Sequence, residues 1–154
     1  MRCLLPAAAA AVLALAACGS SDDDTTPAAC LAPASAYLDA LDSAPDAVRL
    51  EGSTQISDCF PAEQDAADLA QVGEAVVDAA TRLNAAARRD PEQAVALGYL
   101  AAAVAGGTSS TGGIHADLVR RLDAAANFAP GGEQLPASFQ RAYDDGYAAG
   151  QENG

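Results

Sequence analysis

The sequence lacks lysine and tryptophan altogether, and it contains a single histidine. Its positive charge comes from eight arginines, which stand against 21 acidic residues and leave a formal net charge of −13. A protein of this charge is repelled by the phosphates of nucleic acids and by anionic lipid headgroups, so we expect neither as a partner. One histidine and four cysteines also provide few ligands for a transition metal. We therefore expect no metal ion and no cofactor.

The N-terminal region has no apolar run of the length that a membrane-spanning helix needs. The stretch from Leu4 to Ala17 covers about 14 residues, whereas about 20 are required to cross the hydrocarbon core. It follows a single cation, Arg2, and ends in small residues. A charged start, a short apolar middle and a small-residue end are the three parts of an export signal. The pattern predicts a signal peptide over residues 1–17.

The apolar run ends in the tetrad Leu15-Ala16-Ala17-Cys18. This tetrad resembles the lipobox of bacterial lipoproteins, and the resemblance covers residues 1–18 only. It implies that the thiol of Cys18 carries diacylglycerol and that Cys18 becomes the first residue of the mature protein. Each buried acyl methylene contributes roughly 0.8 kcal/mol, so the lipid would hold the exported protein on the extracytoplasmic face of a cell membrane. The alternative is an ordinary cleaved signal peptide, with Cys18 free or in a disulfide.

Residues 18–29 are polar and acidic without apolar periodicity, and they predict a disordered tether in front of one helical domain at 30–154. Two cysteines remain once the signal peptide is removed and Cys18 is lipidated. In an exported protein such a pair most simply forms a disulfide, so we expect a bond between Cys30 and Cys59. Two buried free thiols are the alternative.

Apolar residues recur at steps of three and four through most of this domain, which indicates an all-α bundle of four to five helices. The predicted helices begin near Pro33, Ala62, Pro91, Ile114 and Pro136. Residues 46–58 alternate apolar and polar side chains around a glycine, which permits a short hairpin or an irregular loop. The segment 94–105 carries no charge, so it should occupy the centre of the bundle, and Gly98 should let a neighbouring helix approach closely.

The single histidine, His115, follows a glycine-rich loop at 106–113 and stands at the start of a predicted helix. Unpaired amides and the positive end of the helix dipole can hold an anion at such a position. One interpretation is a site for a small anionic ligand, bound by the amides around Gly112 and Gly113 with Thr111 and His115 as side-chain donors. The other is a packed histidine, because His115 borders the apolar face of its helix. That neighbourhood favours the second interpretation.

Arginine doublets at 88–89 and 120–121 have the geometry to recognise carboxylates. Asp90 and Asp117 lie close to them in the sequence, and these two carboxylates suffice to balance the doublets on a solvated face. We therefore expect the doublets to be surface features with local ion pairs.

No local motif of nucleophilic catalysis is present, since a serine or cysteine would need a histidine base and an orienting carboxylate beside it. We interpret the protein as a non-enzymatic, lipid-anchored helical module that binds another protein of the cell envelope. The alternative is a small anionic ligand binder or a hydrolytic enzyme that uses His115 and the loop at 106–113. A second histidine or a nucleophile-elbow motif would favour an enzyme, and the sequence contains neither.

Replacement of Cys18 by alanine tests the lipid anchor. Because the thiol is the lipid acceptor, the Cys18→Ala protein should be neither lipidated nor cleaved by the lipoprotein pathway. Mass spectrometry of the N-terminal peptide reads both events in the wild type and in the variant. A wild-type protein that begins at another residue and carries no lipid would contradict the resemblance.

Overall fold

The protein folds into an all-α bundle, as the apolar periodicity predicts. The structure is a computed structural model that describes residues 25–154; the predicted signal peptide and Cys18 lie outside that range. Within it, no helix combines the length and the apolarity that a membrane crossing requires. The helices of residues 25–154 are α1 (Ala34–Leu41), α2 (Ala66–Ala87), α3 (Pro91–Thr108), α4 (Ala116–Ala126) and α5 (Ala137–Asn153). Short 3₁₀ turns accompany them at Ala28–Leu31, Ser57–Cys59 and Pro130–Gly132.

α3 is the central helix, which confirms the position predicted from its lack of charge. It begins with Pro91 in its first turn, and the Asp90 carboxylate caps it by accepting a hydrogen bond from the Glu92 amide at 3.1 Å. It contacts each of the other four helices. Residues 96–100 are all buried, and consecutive helical residues can be buried only when neighbours surround the helix on every side.

α3 and α5 pack so closely that backbone touches backbone. A β-carbon added at Gly98 would overlap the carbonyl oxygen of Tyr143 on α5, and one added at Gly146 would overlap that of Val95 on α3. Gly150 makes the same kind of contact one turn after Gly146. These positions therefore admit only glycine, and the close approach predicted at Gly98 is confirmed.

α2 and α4 run parallel to each other and both contact α3. Leu118 of α4 lies beside Gly73 of α2, and near the C-terminal ends the buried Asn84 amide donates to the Ala126 carbonyl oxygen at 2.6 Å. α2 is the longest helix of the described residues, as expected from its sequence. Its start is fixed by Asp65, whose carboxylate accepts a hydrogen bond from a first-turn amide at 2.8 Å.

The glycine-rich loop is shorter than predicted because α3 continues to Thr108. The glycines at 106–107, which the sequence assigned to the loop, form the last turn of the helix. A β-carbon on the second of them would overlap the Ser57 carbonyl oxygen, so tertiary contact requires a glycine here despite its low helix propensity. After the loop, α4 begins at Ala116, and the predicted start, Ile114, has an exposed side chain outside the helix.

A disulfide joins Cys30 to Cys59, which confirms the predicted pairing. It ties the turn at Ala28–Leu31 to the segment that leads into α2. Tyr37 of α1 packs beside it, and its buried hydroxyl donates to the Cys30 carbonyl oxygen at 2.7 Å. The two cysteines are 29 residues apart, so loop closure contributes about 3.6 kcal/mol by the chain-entropy model. Ala29 is also buried, so the packed domain begins before the boundary predicted at residue 30.

The segment at 46–58 takes the second of its two predicted forms, an irregular loop. Leu50 and Thr54 make one isolated antiparallel bridge around a tight turn, and no strand occurs in residues 25–154. Val48, Leu50 and Ile56 are fully buried against the bundle. The alternation of apolar and polar residues therefore reflects a loop whose apolar side chains enter the core.

Substitution of Gly146 by alanine should destabilise the bundle, because the added methyl group overlaps the Val95 carbonyl and forces α5 away from α3. Overpacking of this kind costs roughly 1–3 kcal/mol or more. The matched control is Gly106→Ala in α3, where a β-carbon meets open space and should leave stability unchanged or raise it by up to about 1 kcal/mol. Urea denaturation followed by circular dichroism measures both variants. Equal urea midpoints for the two variants would contradict the close contact between Gly146 and the Val95 carbonyl.

Candidate functional site

His115, the site residue predicted from the sequence, lies directly before α4 with its ring turned into the bundle. The sequence predicted His115 in the first turn of the helix, but it is the N-cap residue directly before that turn. Its side chain is buried, with a residue exposure of only 1%. The ring of Phe60 packs edge-on against it, with the ring centroids 5.5 Å apart. The imidazole therefore belongs to the core, where the start of α4 meets the segment that precedes α2.

Both ring nitrogens of His115 are hydrogen-bonded to buried protein groups. Nε2 lies 2.7 Å from Oε1 of Gln64, and Nδ1 lies 2.9 Å from the Thr111 hydroxyl. The Gln64 amide nitrogen in turn donates to the Cys59 carbonyl oxygen at 2.9 Å and to the Thr26 hydroxyl at 3.0 Å. A continuous polar network thus connects the N-terminal segment, the disulfide and the start of α4.

The hydrogen-bonding capacity of each group determines the tautomer of the neutral ring. A carbonyl oxygen only accepts, so the Cys59 carbonyl requires the NH₂ end of Gln64 and leaves Oε1 facing the histidine. Nε2 therefore carries the proton, and Nδ1 accepts from the Thr111 hydroxyl. When the ring gains a second proton, Nδ1 donates to that hydroxyl, which then donates to the Thr108 carbonyl oxygen 2.8 Å away. The network thus satisfies both protonation states.

Burial decides between the two states. It lowers the pKa of His115 below its ordinary value of 6.5, because the hydrogen-bonding partners are neutral and do not offset the desolvation of a charged ring. With both nitrogens engaged, the ring becomes a general base or a ligand only if Gln64 or Thr111 is displaced. Elsewhere in residues 25–154, no three acidic, cysteine or histidine side chains gather where they could hold a metal ion.

The predicted anion-binding residues are divided by the fold. Thr111 is buried in direct contact with His115, whereas Gly112 and Gly113 are exposed on the surface. Both glycines have positive φ angles, 63° and 90°, a conformation that favours glycine in a tight turn. The turn requires these glycines whether or not an anion binds, and the geometry favours the packed histidine over the ligand site.

A second candidate site, which the sequence did not indicate, is an apolar groove at the C-terminal ends of α2 and α4. Its cavity volume is about 490 Å³, which lies in the usual range of binding pockets. Phe128 stands at its edge and is 62% exposed, although it is a large apolar residue. We call this feature the α2–α4 groove; its lining includes Thr81, Ala85, Arg88, Ala124, Ala125 and Phe128.

Arg88 is held at the α2–α4 groove by neutral partners. Its Nη2 donates to the Phe128 carbonyl oxygen at 2.7 Å and lies 3.5 Å from Oδ1 of Asn84. Asn84 is itself fixed, because its buried amide donates to the Ala126 carbonyl oxygen. The guanidinium is therefore positioned by the fold and remains exposed to solvent.

The ion pairs predicted for the arginine doublets form at one doublet only. Arg120 pairs with Asp117, but Asp90, expected to balance the doublet at 88–89, instead caps α3. No carboxylate of residues 25–154 lies within ion-pair distance of Arg88. The ion pairs in that part of the protein are Arg82–Asp78 and Arg120–Asp117.

Sequence reasoning missed both Gln64 and the α2–α4 groove because their contacts are distant in the sequence. Gln64 is 51 residues from His115, and Arg88 is 40 residues from Phe128. The sequence offered one signal for the groove. Phe128 is a large apolar residue that comes directly after the end of α4, where it is not part of the apolar face of that helix.

The lowered pKa of His115 makes stability depend on pH. The ring titrates near 6.5 in the unfolded protein, but the folded protein takes up this proton only at lower pH. The stabilisation from the neutral ring is therefore complete above about pH 6.5 and is lost as the pH falls towards the folded pKa. His115→Gln removes this titration at a packing cost of at most a few kcal/mol.

Urea denaturation between about pH 7.5 and about pH 5 compares the two proteins. The free energy of unfolding should decrease more for the wild type than for His115→Gln over this range. If the free energies of unfolding of the two proteins decrease in parallel, or if the wild type gains stability as the pH falls, the conclusion that the buried ring is neutral is wrong.

Comparison with known proteins adds no residue to either candidate site. No family model, curated protein or solved structure matches this sequence. Interpretation of the two sites therefore depends on their geometry: a histidine whose nitrogens are both engaged, and an apolar groove beside an arginine without a carboxylate partner in residues 25–154.

Proposed function

We propose that the protein is a lipid-anchored, extracytoplasmic helical module that binds another envelope protein through the α2–α4 groove and performs no chemistry itself. The observation that carries the proposal is the position of the groove relative to the N-terminal segment. Thr26 is hydrogen-bonded to Gln64, just before the N-terminal end of α2, whereas the groove lies at the C-terminal end of that helix. The N-terminal segment and the groove are therefore at opposite ends of α2.

The distances are consistent with presentation of the groove away from a membrane. From Asp65 to Arg88, α2 extends about 35 Å at 1.5 Å per residue. A lipid on Cys18 would be separated from Thr26 by eight residues, which reach at most about 29 Å. A domain tethered near one end of α2 carries the α2–α4 groove at the other end of that helix, where the attachment does not block a partner.

The composition of the groove supports binding of a protein. Exposed aromatic and arginine side chains contribute strongly to protein interfaces, and Phe128 and Arg88 stand together at this site. His115 supports a role without catalysis, since both of its nitrogens are engaged by Gln64 and Thr111. The groove and the histidine thus point to binding as the activity of the domain.

Site-specific photo-crosslinking tests this proposal in cells that make the protein naturally. A photoreactive phenylalanine analogue in place of Phe128 should capture an envelope protein, and Cys18→Ala should reduce the yield of that adduct. The matched control carries the analogue in place of Ile114, which is also large, apolar and exposed but lies outside the groove. Mass spectrometry identifies the adducts. If the folded, lipidated protein gives no more protein adduct at Phe128 than at Ile114, the proposal is wrong.

A further inference from the structure

Apart from Arg88 and Phe128, most side chains that line the α2–α4 groove are small, which leaves room for large apolar side chains of an occupant. Ala85 of α2 and Ala124 and Ala125 of α4 contribute only methyl groups to a cavity of about 490 Å³. A large apolar side chain placed there is stabilised because its apolar surface is removed from water. From Thr81 to Arg88 the groove runs about 10 Å, which is two turns of a bound helix.

Arg88 gives this apolar groove a charged end. A guanidinium has five N–H donors, and the Phe128 carbonyl and the Asn84 side chain both bind through Nη2. Nη1 and Nε therefore remain for an occupant. A fixed arginine without an acidic partner in residues 25–154 is well suited to bind a carboxylate, which can accept a charge-assisted hydrogen bond from Nη1 or from Nε.

We propose that the α2–α4 groove recognises a short acidic amphipathic segment of the partner protein. One or two large apolar side chains fill the alanine-lined cavity, and an adjacent Asp, Glu or C-terminal carboxylate pairs with Arg88. This inference rests on the proposed function, because it names the chemistry of the partner at the same groove.

The acidity of the whole protein restricts which acidic segments can bind. A net charge of −13 repels a broadly acidic surface, but physiological salt screens charges more than about 8 Å apart. A single carboxylate in direct contact with Arg88 escapes most of that repulsion, whereas additional negative charge beyond the contact does not. The groove therefore selects a carboxylate beside apolar residues over an extended acidic tract.

Charge variants of Arg88 test the inference in the full-length anchored protein that carries the photoreactive analogue at Phe128. A hydrogen-bonded charge pair contributes about 1.5 kcal/mol or more, so Arg88→Gln should lower the adduct yield about tenfold, and Arg88→Glu further. Arg88→Lys keeps the charge and should retain most of the yield. Arg89→Gln is the matched control, since Arg89 is the adjacent arginine of the doublet and does not line the groove. Circular dichroism melts establish that each variant is folded.

The captured peptide provides the second measurement. Mass spectrometry should place an Asp, a Glu or the partner's own C-terminus within two helical turns of the crosslinked residue, next to large apolar residues. If a protein adduct forms but is insensitive to Arg88→Glu, or if its peptide has no nearby carboxylate, the inference is overturned and the proposed function stands. Absence of any protein adduct, or a lipid adduct in its place, overturns both.

Discussion

The direct backbone contact between α3 and α5 is the constraint on which the rest of the bundle depends. α3 has no polar face to turn towards water, so it must be covered on every side, and α5 covers it with its backbone in direct contact with that of α3. Glycine lowers helix propensity by about 1 kcal/mol at each position, and this cost is offset by backbone packing that no other residue permits at Gly98, Gly146 and Gly150. With α5 in this position, α1, α2 and α4 occupy the remaining surface of α3.

The helices and the disulfide could be predicted because each leaves a local or countable signal. Amphipathic spacing marks α2 and α4, and the absence of charge marks α3. If residues 1–17 are a signal peptide and Cys18 carries lipid, as the sequence predicts, only two cysteines remain for the Cys30–Cys59 bond. Helix ends were less predictable. The glycines at 106–107 carry a loop signal, but their contact with Ser57 keeps them helical, and the partner of that contact lies 50 residues away in the sequence. Packing between distant segments thus determined where α3 ends, whereas the local sequence pattern predicted too early an end.

Of the two candidate sites, only the one at His115 could be predicted from the sequence, because a single residue marks it. His115 was identifiable as the single histidine at a helix start, and its position beside apolar residues indicated a packed role. Its partner Gln64 has no distinguishing pattern, since an isolated glutamine before a helix is ordinary. The α2–α4 groove forms only when parallel helices align their alanine faces, so its shape cannot be read from either helix alone. Arg88 belongs to a doublet that the sequence shows, and Asp90 before Pro91 has the pattern of a helix cap, but the contact of Arg88 with the Phe128 carbonyl, 40 residues away, leaves no local signal.

The disulfide also determines how the domain bears mechanical tension. A pull on the polypeptide before Cys30 passes through the covalent bond to Cys59 and enters the fold at the approach to α2. α1 and the loop at 46–58 lie within the loop that the bond closes, so a pull cannot extend them while the bond is intact. The segment that a pull can detach is therefore limited to the few residues around Thr26, and reduction of the bond would place α1 in series with the applied load.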